Sequence, residues 1–181
     1  MLLLVDLGGT NCRCVLQSND GVVKRLKVFK NNQHSSLESV IDLFLEDGPE
    51  TITKAAFSIA APISNTAFTM TNLDWIIDRQ RIANCIGSST EVHLVNDFSA
   101  VAMSLPFIGE NNSLMLNNGL ENVGSRCDPK VVLGPGTGLG VGALIPTANG
   151  WSVVAGEGGH VSIASRNRAE YEVVRELSRK F

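Results

Sequence analysis

The chain opens on an unbroken aliphatic run, Leu2-Leu3-Leu4-Val5, which Asp6-Leu7-Gly8-Gly9-Thr10-Asn11 interrupts and Cys12 to Gln17 resumes. A run with no polar position predicts a strand buried on both faces, in a sheet covered by helices. Strand, glycine pair and returning strand predict a β-hairpin. Gly8 and Gly9 let the main chain approach a ligand with no Cβ in the way. Their N–H groups and the Thr10 hydroxyl could bind phosphate oxygens. Asp6 could hold Mg²⁺ through water, because that ion dehydrates reluctantly. A plain hairpin accounts for the same residues.

The pattern returns later in the chain. Lys130 to Leu133 reads as a strand, Gly134-Pro135-Gly136-Thr137-Gly138-Leu139-Gly140 as a turn, and Val141 to Ile145 as the returning strand. A Walker loop needs Gly-Lys-Ser/Thr, which is absent. Gly138, Gly140 and Ala143 fit the dinucleotide fingerprint, but no helix pattern follows them. What remains is a second amide-rich turn that could face a phosphate, or a tight glycine hairpin.

Between these turns lies Glu91 to Val95, a strand pattern, followed by Asn96-Asp97-Phe98 and a helix-forming run to Ser104. A carboxylate where a strand ends and a helix begins lies in or beside the crevice in which open α/β sheets bind ligands. Asp97 could take a proton from a hydroxyl under attack. Asn-Asp is equally the composition of a turn or helix N-cap. Further on, Glu157 and His160 stand three apart in Gly156-Glu157-Gly158-Gly159-His160, a loop able to hydrogen-bond sugar hydroxyls. A metal site there would lack the helix and partner ligands that such a pair needs. His34 reads as a loop residue and His93 as a strand residue.

Three helices are expected besides the one after Asp97. Ser35 and Glu38 match a capping box ahead of Leu37, Val40, Ile41, Phe44 and Leu45. Asp78 is a candidate N-cap for a helix to Ile86, with Gly87 beyond its end. Arg168 to Lys180 carries Tyr171, Val174 and Leu177 at helical spacing. Strands are expected at Val22 to Phe29, Ala55 to Ala60, Trp75-Ile76 and Trp151 to Val154, and a hinge near 105–112.

The chain has 181 residues, 44% hydrophobic and 18% charged, with a formal net charge of -3. That is a globular composition with no electrostatic case for nucleic acid. No apolar run has membrane-spanning length, and the N-terminus lacks a basic leader, so a cytoplasmic protein is expected. Of the four cysteines, Cys12 and Cys14 would share one strand face, and all four are expected as free thiols.

Four motifs occur in order: Asp6-Leu-Gly-Gly-Thr-Asn11, Asn96-Asp97-Phe98, Gly134-Pro-Gly-Thr-Gly-Leu-Gly140 and Gly156-Glu-Gly-Gly-His160. With Met70-Thr71-Asn72 they resemble the bacterial glucokinase family, of the actin-like, sugar-kinase and Hsp70 ATPase superfamily. The resemblance covers essentially the whole chain. It implies an α/β fold of the ribonuclease-H, actin type: a small domain at 1–108 and the start of a large domain at 109–181. It implies Asp97 as the base for the 6-hydroxyl of glucose, and Asn96, Glu157 and His160 as sugar ligands. Gly8, Gly9 and Thr10 would form one phosphate loop, with Asp6 near Mg²⁺, and Gly136, Thr137 and Gly138 the other. ATP and glucose are the implied ligands, and a homodimer is left open. The related kinases and repressors with a cysteine-rich zinc motif after Glu-x-Gly-His are disfavoured, because no cysteine follows Cys127.

The family runs to about twice this length, as the resemblance implies. A further sugar carboxylate, the adenosine segment and a C-terminal helix would be missing. The chain therefore looks like an N-terminal portion, expected to be inactive by itself. The alternatives are a sugar-binding module without catalysis, a carboxylate kinase of the same superfamily and an actin-like structural protein.

Overall fold

The computed structural model describes residues 1–46, 48, 51–70, 73–114, 127–135, 138–154, 156 and 158–180. In chain order its elements are β1 (Leu2–Leu7), β2 (Asn11–Gln17), β3 (Val23–Lys30), α1 (Leu37–Leu45), β4 (Lys54–Ile59), β5 (Phe68–Met70), β6 (Leu73–Ile77), α2 (Arg79–Ile86), β7 (Glu91–Asn96), α3 (Asp97–Ser104), β8 (Lys130–Pro135), β9 (Leu139–Thr147), β10 (Gly150–Val154) and α4 (Arg168–Lys180). Expectations on Thr71, Asn72, Gly136, Thr137 and Glu157 lie outside the described residues.

The main sheet runs β3-β2-β1-β4-β7. β1, β4 and β7 are parallel, while β2 and β3 return antiparallel on the far side of β1. Parallel neighbours in register bring Leu7, Ile59 and Asn96 into one row at the carboxyl ends. Asp6, Ser58 and Val95 form the row before it.

One face of β1 is fully buried through Leu3, Val5 and Leu7, whereas Leu2 and Leu4 are only half covered. The aliphatic run thus overstates the cover on its second face. The buried face continues through Cys12, Cys14 and Leu16 of β2, with Leu37, Val40, Ile41 and Phe44 of α1 and Ile82 of α2 in the same core. Fully burying one such aliphatic or aromatic side chain contributes roughly 1.5–3 kcal/mol. Cys12 and Cys14 share that inward face, their sulfurs 3.9 Å apart.

The capping box lies one residue later than the Ser35–Glu38 pattern predicts. The Ser36 hydroxyl accepts from the Ser39 N–H at 3.2 Å, and the Ser39 hydroxyl accepts from the Ser36 N–H at 3.3 Å. The Glu38 carboxylate instead faces the Arg81 guanidinium of α2 at 3.1 Å, tying the two helices together. Asp78 caps α2 as expected, accepting from the N–H groups of Gln80 and Arg81. Gly87 ends that helix at φ +143°, where a side chain would be strained.

A second sheet, β10-β9-β8, is antiparallel throughout. α3 packs against all three of its strands and also against β7 and β4, so it spans from the main sheet to this one. Among the described residues, no helix is long and apolar enough to cross a membrane.

Candidate active site

β7 delivers Asn96 and Asp97 to the carboxyl end of the main sheet, where the N-cap reading of the pair holds. Asn96 is the N-cap of α3, its Oδ1 accepting from the Ser99 N–H at 3.1 Å. Asp97 is the first helical residue. Its Oδ1 accepts from the Phe98 N–H and from Asn96 Nδ2, each at 2.9 Å. Asn96 Nδ2 also reaches the Ala61 carbonyl, at 3.4 Å. The base candidate is therefore held by two donors, one of them the neighbouring cap.

Asp97 is half-buried, and burial pushes its carboxyl above the ordinary aspartate value; the Phe98 N–H holds it down, and the charge of Asp6 pushes it further up. β1 and β7 flank β4 and end on the same edge, so two carboxylates far apart in sequence lie at one edge of the sheet.

The turn after Asp6 is closed from within. The Gly8 N–H donates to the Asn11 carbonyl at 3.0 Å, so this amide is committed to the turn rather than presented to a ligand. Asn31 braces the turn from below: its Nδ2 donates to the Gly8 carbonyl at 2.8 Å and its N–H to the Thr10 carbonyl at 3.0 Å. Asn31 is buried at 1% exposure. Its Oδ1 has no hydrogen-bond partner. Replacing Asn31 by Ala removes one hydrogen bond and one orphaned acceptor together, so the net loss should lie near a single bond, about 0.5–1.5 kcal/mol. Urea unfolding of the two proteins measures it.

Asp6 has a partner the sequence reading missed. Arg13 of β2 lies directly opposite it in the hairpin register, and its guanidinium donates to Asp6 Oδ2 at 2.8 Å. Both side chains are about half exposed, at 54% for Arg13 and 48% for Asp6, so the pair contributes little stability. Counting back across the Gly8-Gly9 turn would have found it.

The second glycine-rich segment divides in two. Gly138 has open space where a Cβ would be, as a ligand-facing position requires, whereas Gly134 and Gly140 lie against the Phe98 ring. Gly136 and Thr137 lie outside the described residues, as does Glu157. His160 is exposed, ending a short 3-10 turn over Gly158–His160. Gly158 and Gly159 of that turn rest on Val141 and Leu139 of β9. Gly158 and Gly159 are thus packed closely on the strand that leaves the second turn.

The sequence matches the family model described as Glucokinase over residues 3–181. It is 36% identical over 180 residues to a glucokinase of Chromobacterium violaceum, covering 99% of this chain and 51% of that one. A Photorhabdus laumondii glucokinase is also 36% identical over 180 residues, with 99% and 55% covered. The crystal structure of a glucokinase from an Antarctic psychrotroph superposes with a TM-score of 0.80 at 26% identity, covering 99% of this chain and 56% of that one. A glucokinase of Balamuthia mandrillaris in complex with glucose shares the fold, with a TM-score of 0.68 at 22% identity over 98% of this chain and 54% of that one. The chain spans about half the length of the curated relatives it matches.

Proposed function

Since the chain belongs to the glucokinase family, and has its ribonuclease-H, actin-type α/β fold, we propose that the protein carrying it phosphorylates the 6-hydroxyl of glucose with ATP as donor. The observation that carries this reading is the placement of Asp6 and Asp97 on one edge of the main sheet, at the carboxyl ends of the parallel strands β1 and β7 that flank β4. A phosphoryl transfer to a hydroxyl needs two things together: a group able to hold a cation beside the phosphates and a base beside the acceptor.

In this reading Asp97 takes the proton of the 6-hydroxyl as that oxygen bonds to the γ-phosphorus and the bond to the ADP oxygen breaks. Asn96 holds Asp97 through its Nδ2 and contributes to the sugar site with Glu157 and His160. Gly9 and Thr10 face the phosphates on one side, with Gly8 permitting close approach. Gly136, Thr137 and Gly138 face them on the other. Arg13 takes one oxygen of the half-exposed Asp6 carboxylate; the other is open to a hard cation that keeps its water, so Asp6 would hold Mg²⁺ through water. The ion would neutralise phosphate charge. Residues 1–108 form the smaller domain and 109–181 belong to the larger, and their closure excludes water as a rival acceptor.

The charge of Asp6 raises Asp97, so Asp6→Asn should let Asp97 ionise at lower pH. A ¹³C NMR titration of the Asp97 carboxyl in nucleotide-free protein reads this; an unchanged or upward shift refutes the electrostatic link.

The function itself is tested by ADP release from the full-length gene product with and without glucose. Glucose-dependent release supports the reading. Glucose binding by calorimetry with no ADP release would make the protein a sugar-binding module instead.

A further inference from the structure

The geometry points to Phe98 as a positioning residue that fixes the β8–β9 hairpin relative to Asp97, an inference that rests on the phosphoryl-transfer reading above. Gly134 and Gly140 face each other across the β8–β9 ladder, one pair in from its closing pair, Pro135 and Leu139. A Cβ on Gly134 would fall 2.5 Å from Phe98 Cζ, and one on Gly140 would fall 1.8 Å from Phe98 Cε2. The ring thus fills the space that two opposed side chains would otherwise occupy. Two strand positions further along, a Cβ on Gly142 would fall 2.6 Å from the Phe98 carbonyl oxygen and 3.3 Å from the Ala102 Cβ. The first turns of α3 therefore lie flat on a shelf of three glycines.

Conformation is not why these residues are glycine. Among the described glycines, positive φ occurs at Gly21, Gly87 and Gly150, not at the shelf. Glycine inside a strand weakens it and marks close approach of something else, and here that something is Phe98. The same residue holds the base candidate from its other end, since its N–H donates to Asp97 Oδ1 at 2.9 Å. One residue thus touches the proton acceptor through its main chain and the phosphate-side hairpin through its ring. Without the ring, the glycine shelf has no side chains with which to refill the gap, so the hairpin and Asp97 lose their common reference. Catalysis by positioning is sensitive to displacements of about 1 Å, which can lower rates by roughly 10²-fold.

The test is steady-state kinetics on the full-length gene product, with rates expressed per folded molecule by near-ultraviolet circular dichroism. Phe98→Ala should lower kcat at least tenfold, raise the KM for ATP several-fold and move the acid limb of the pH–kcat profile downward, because Asp97 becomes better solvated. Phe98→Leu should recover part of each effect. Gly140→Ala should reproduce the loss with Phe98 intact, and should add little in the Phe98→Ala background, where its methyl has room. A purely structural Phe98 would change stability and leave kcat per folded molecule, KM for ATP and the pH profile at wild-type values. That result, or additivity of Gly140→Ala with Phe98→Ala, overturns the role. If Phe98→Ala does not fold, Phe98→Leu decides: kinetics within twofold of wild type overturn the role as well. An inactive wild type overturns the phosphoryl-transfer reading and this role with it, whereas an active wild type with an indifferent Phe98 variant overturns the role alone.

Discussion

Asp97→Asn in the full-length protein is expected to lower kcat by about 10²–10⁴-fold, the usual contribution of a positioned general base. The exchange is nearly isosteric. An amide Oδ1 can still accept from the Phe98 N–H and from Asn96 Nδ2, so the start of α3 keeps its hydrogen bonds. Glucose affinity should therefore stay within a few-fold of wild type, which calorimetry measures. Only the ability to take a proton is removed. Retention of near-wild-type turnover would exclude Asp97 as the base.

The same variant carries a second signature, in stability. Burial and the Asp6 charge raise the Asp97 carboxyl above its ordinary value. In the window between the ordinary and the raised value, the folded protein holds more protons than the unfolded chain, so stability falls as pH rises through that window. Above it the full penalty of the ionised group is present. Asn carries no such penalty, so Asp97→Asn should melt no lower than wild type at neutral pH. Its advantage should shrink as the pH approaches the ordinary aspartate value. Differential scanning calorimetry at several pH values checks the sign. A general base that weakens the fold in its working form is a common compromise between activity and stability.

Local features were the most legible in the sequence. α4 occupies Arg168–Lys180 as read from its apolar spacing, and Asp78 caps α2, because each depends on a few neighbouring residues. The box at α1 slipped by one because Ser35 and Ser36 offer two registers. The choice fell to Ser36 where Glu38 gains a partner on another helix, Arg81, and local pattern does not encode that contact. The order β3-β2-β1-β4-β7 was likewise beyond periodicity, since it depends on which parallel strands become neighbours. At the site, Asp6, Asp97 and the glycine turns were identifiable as chemistry. Their grouping was not, and the glycines concealed two different roles. An open Gly138 and a filled Gly140 look alike in sequence. Only the packing of Phe98 separates the position that a ligand could approach from the one a ring already occupies.

Gly159→Ala should have the next largest effect, and on the sugar side of the site. A Cβ there would fall 1.6 Å from the Leu139 carbonyl oxygen and 2.7 Å from its carbon. These are main-chain atoms, so no rotamer change relieves the clash. Gly159 is not at positive φ, so the cost is steric rather than conformational. Either β9 or the 158–160 turn must move. β9 is hydrogen-bonded to β8 on one side and to β10 on the other, whereas the turn is a single short 3-10 segment. The turn therefore yields, carrying His160 with it. Overpacking of this kind costs about 1–3 kcal/mol, and the displaced loop should weaken glucose binding at least tenfold. Gly156→Ala is the matched comparison, because a Cβ there meets nothing within 4 Å; it should bind glucose within twofold of wild type. Calorimetry on the two variants decides the matter. Equal glucose affinities for Gly159→Ala and wild type would mean that the loop resting on β9 does not present the sugar ligands, and would remove His160 from the site.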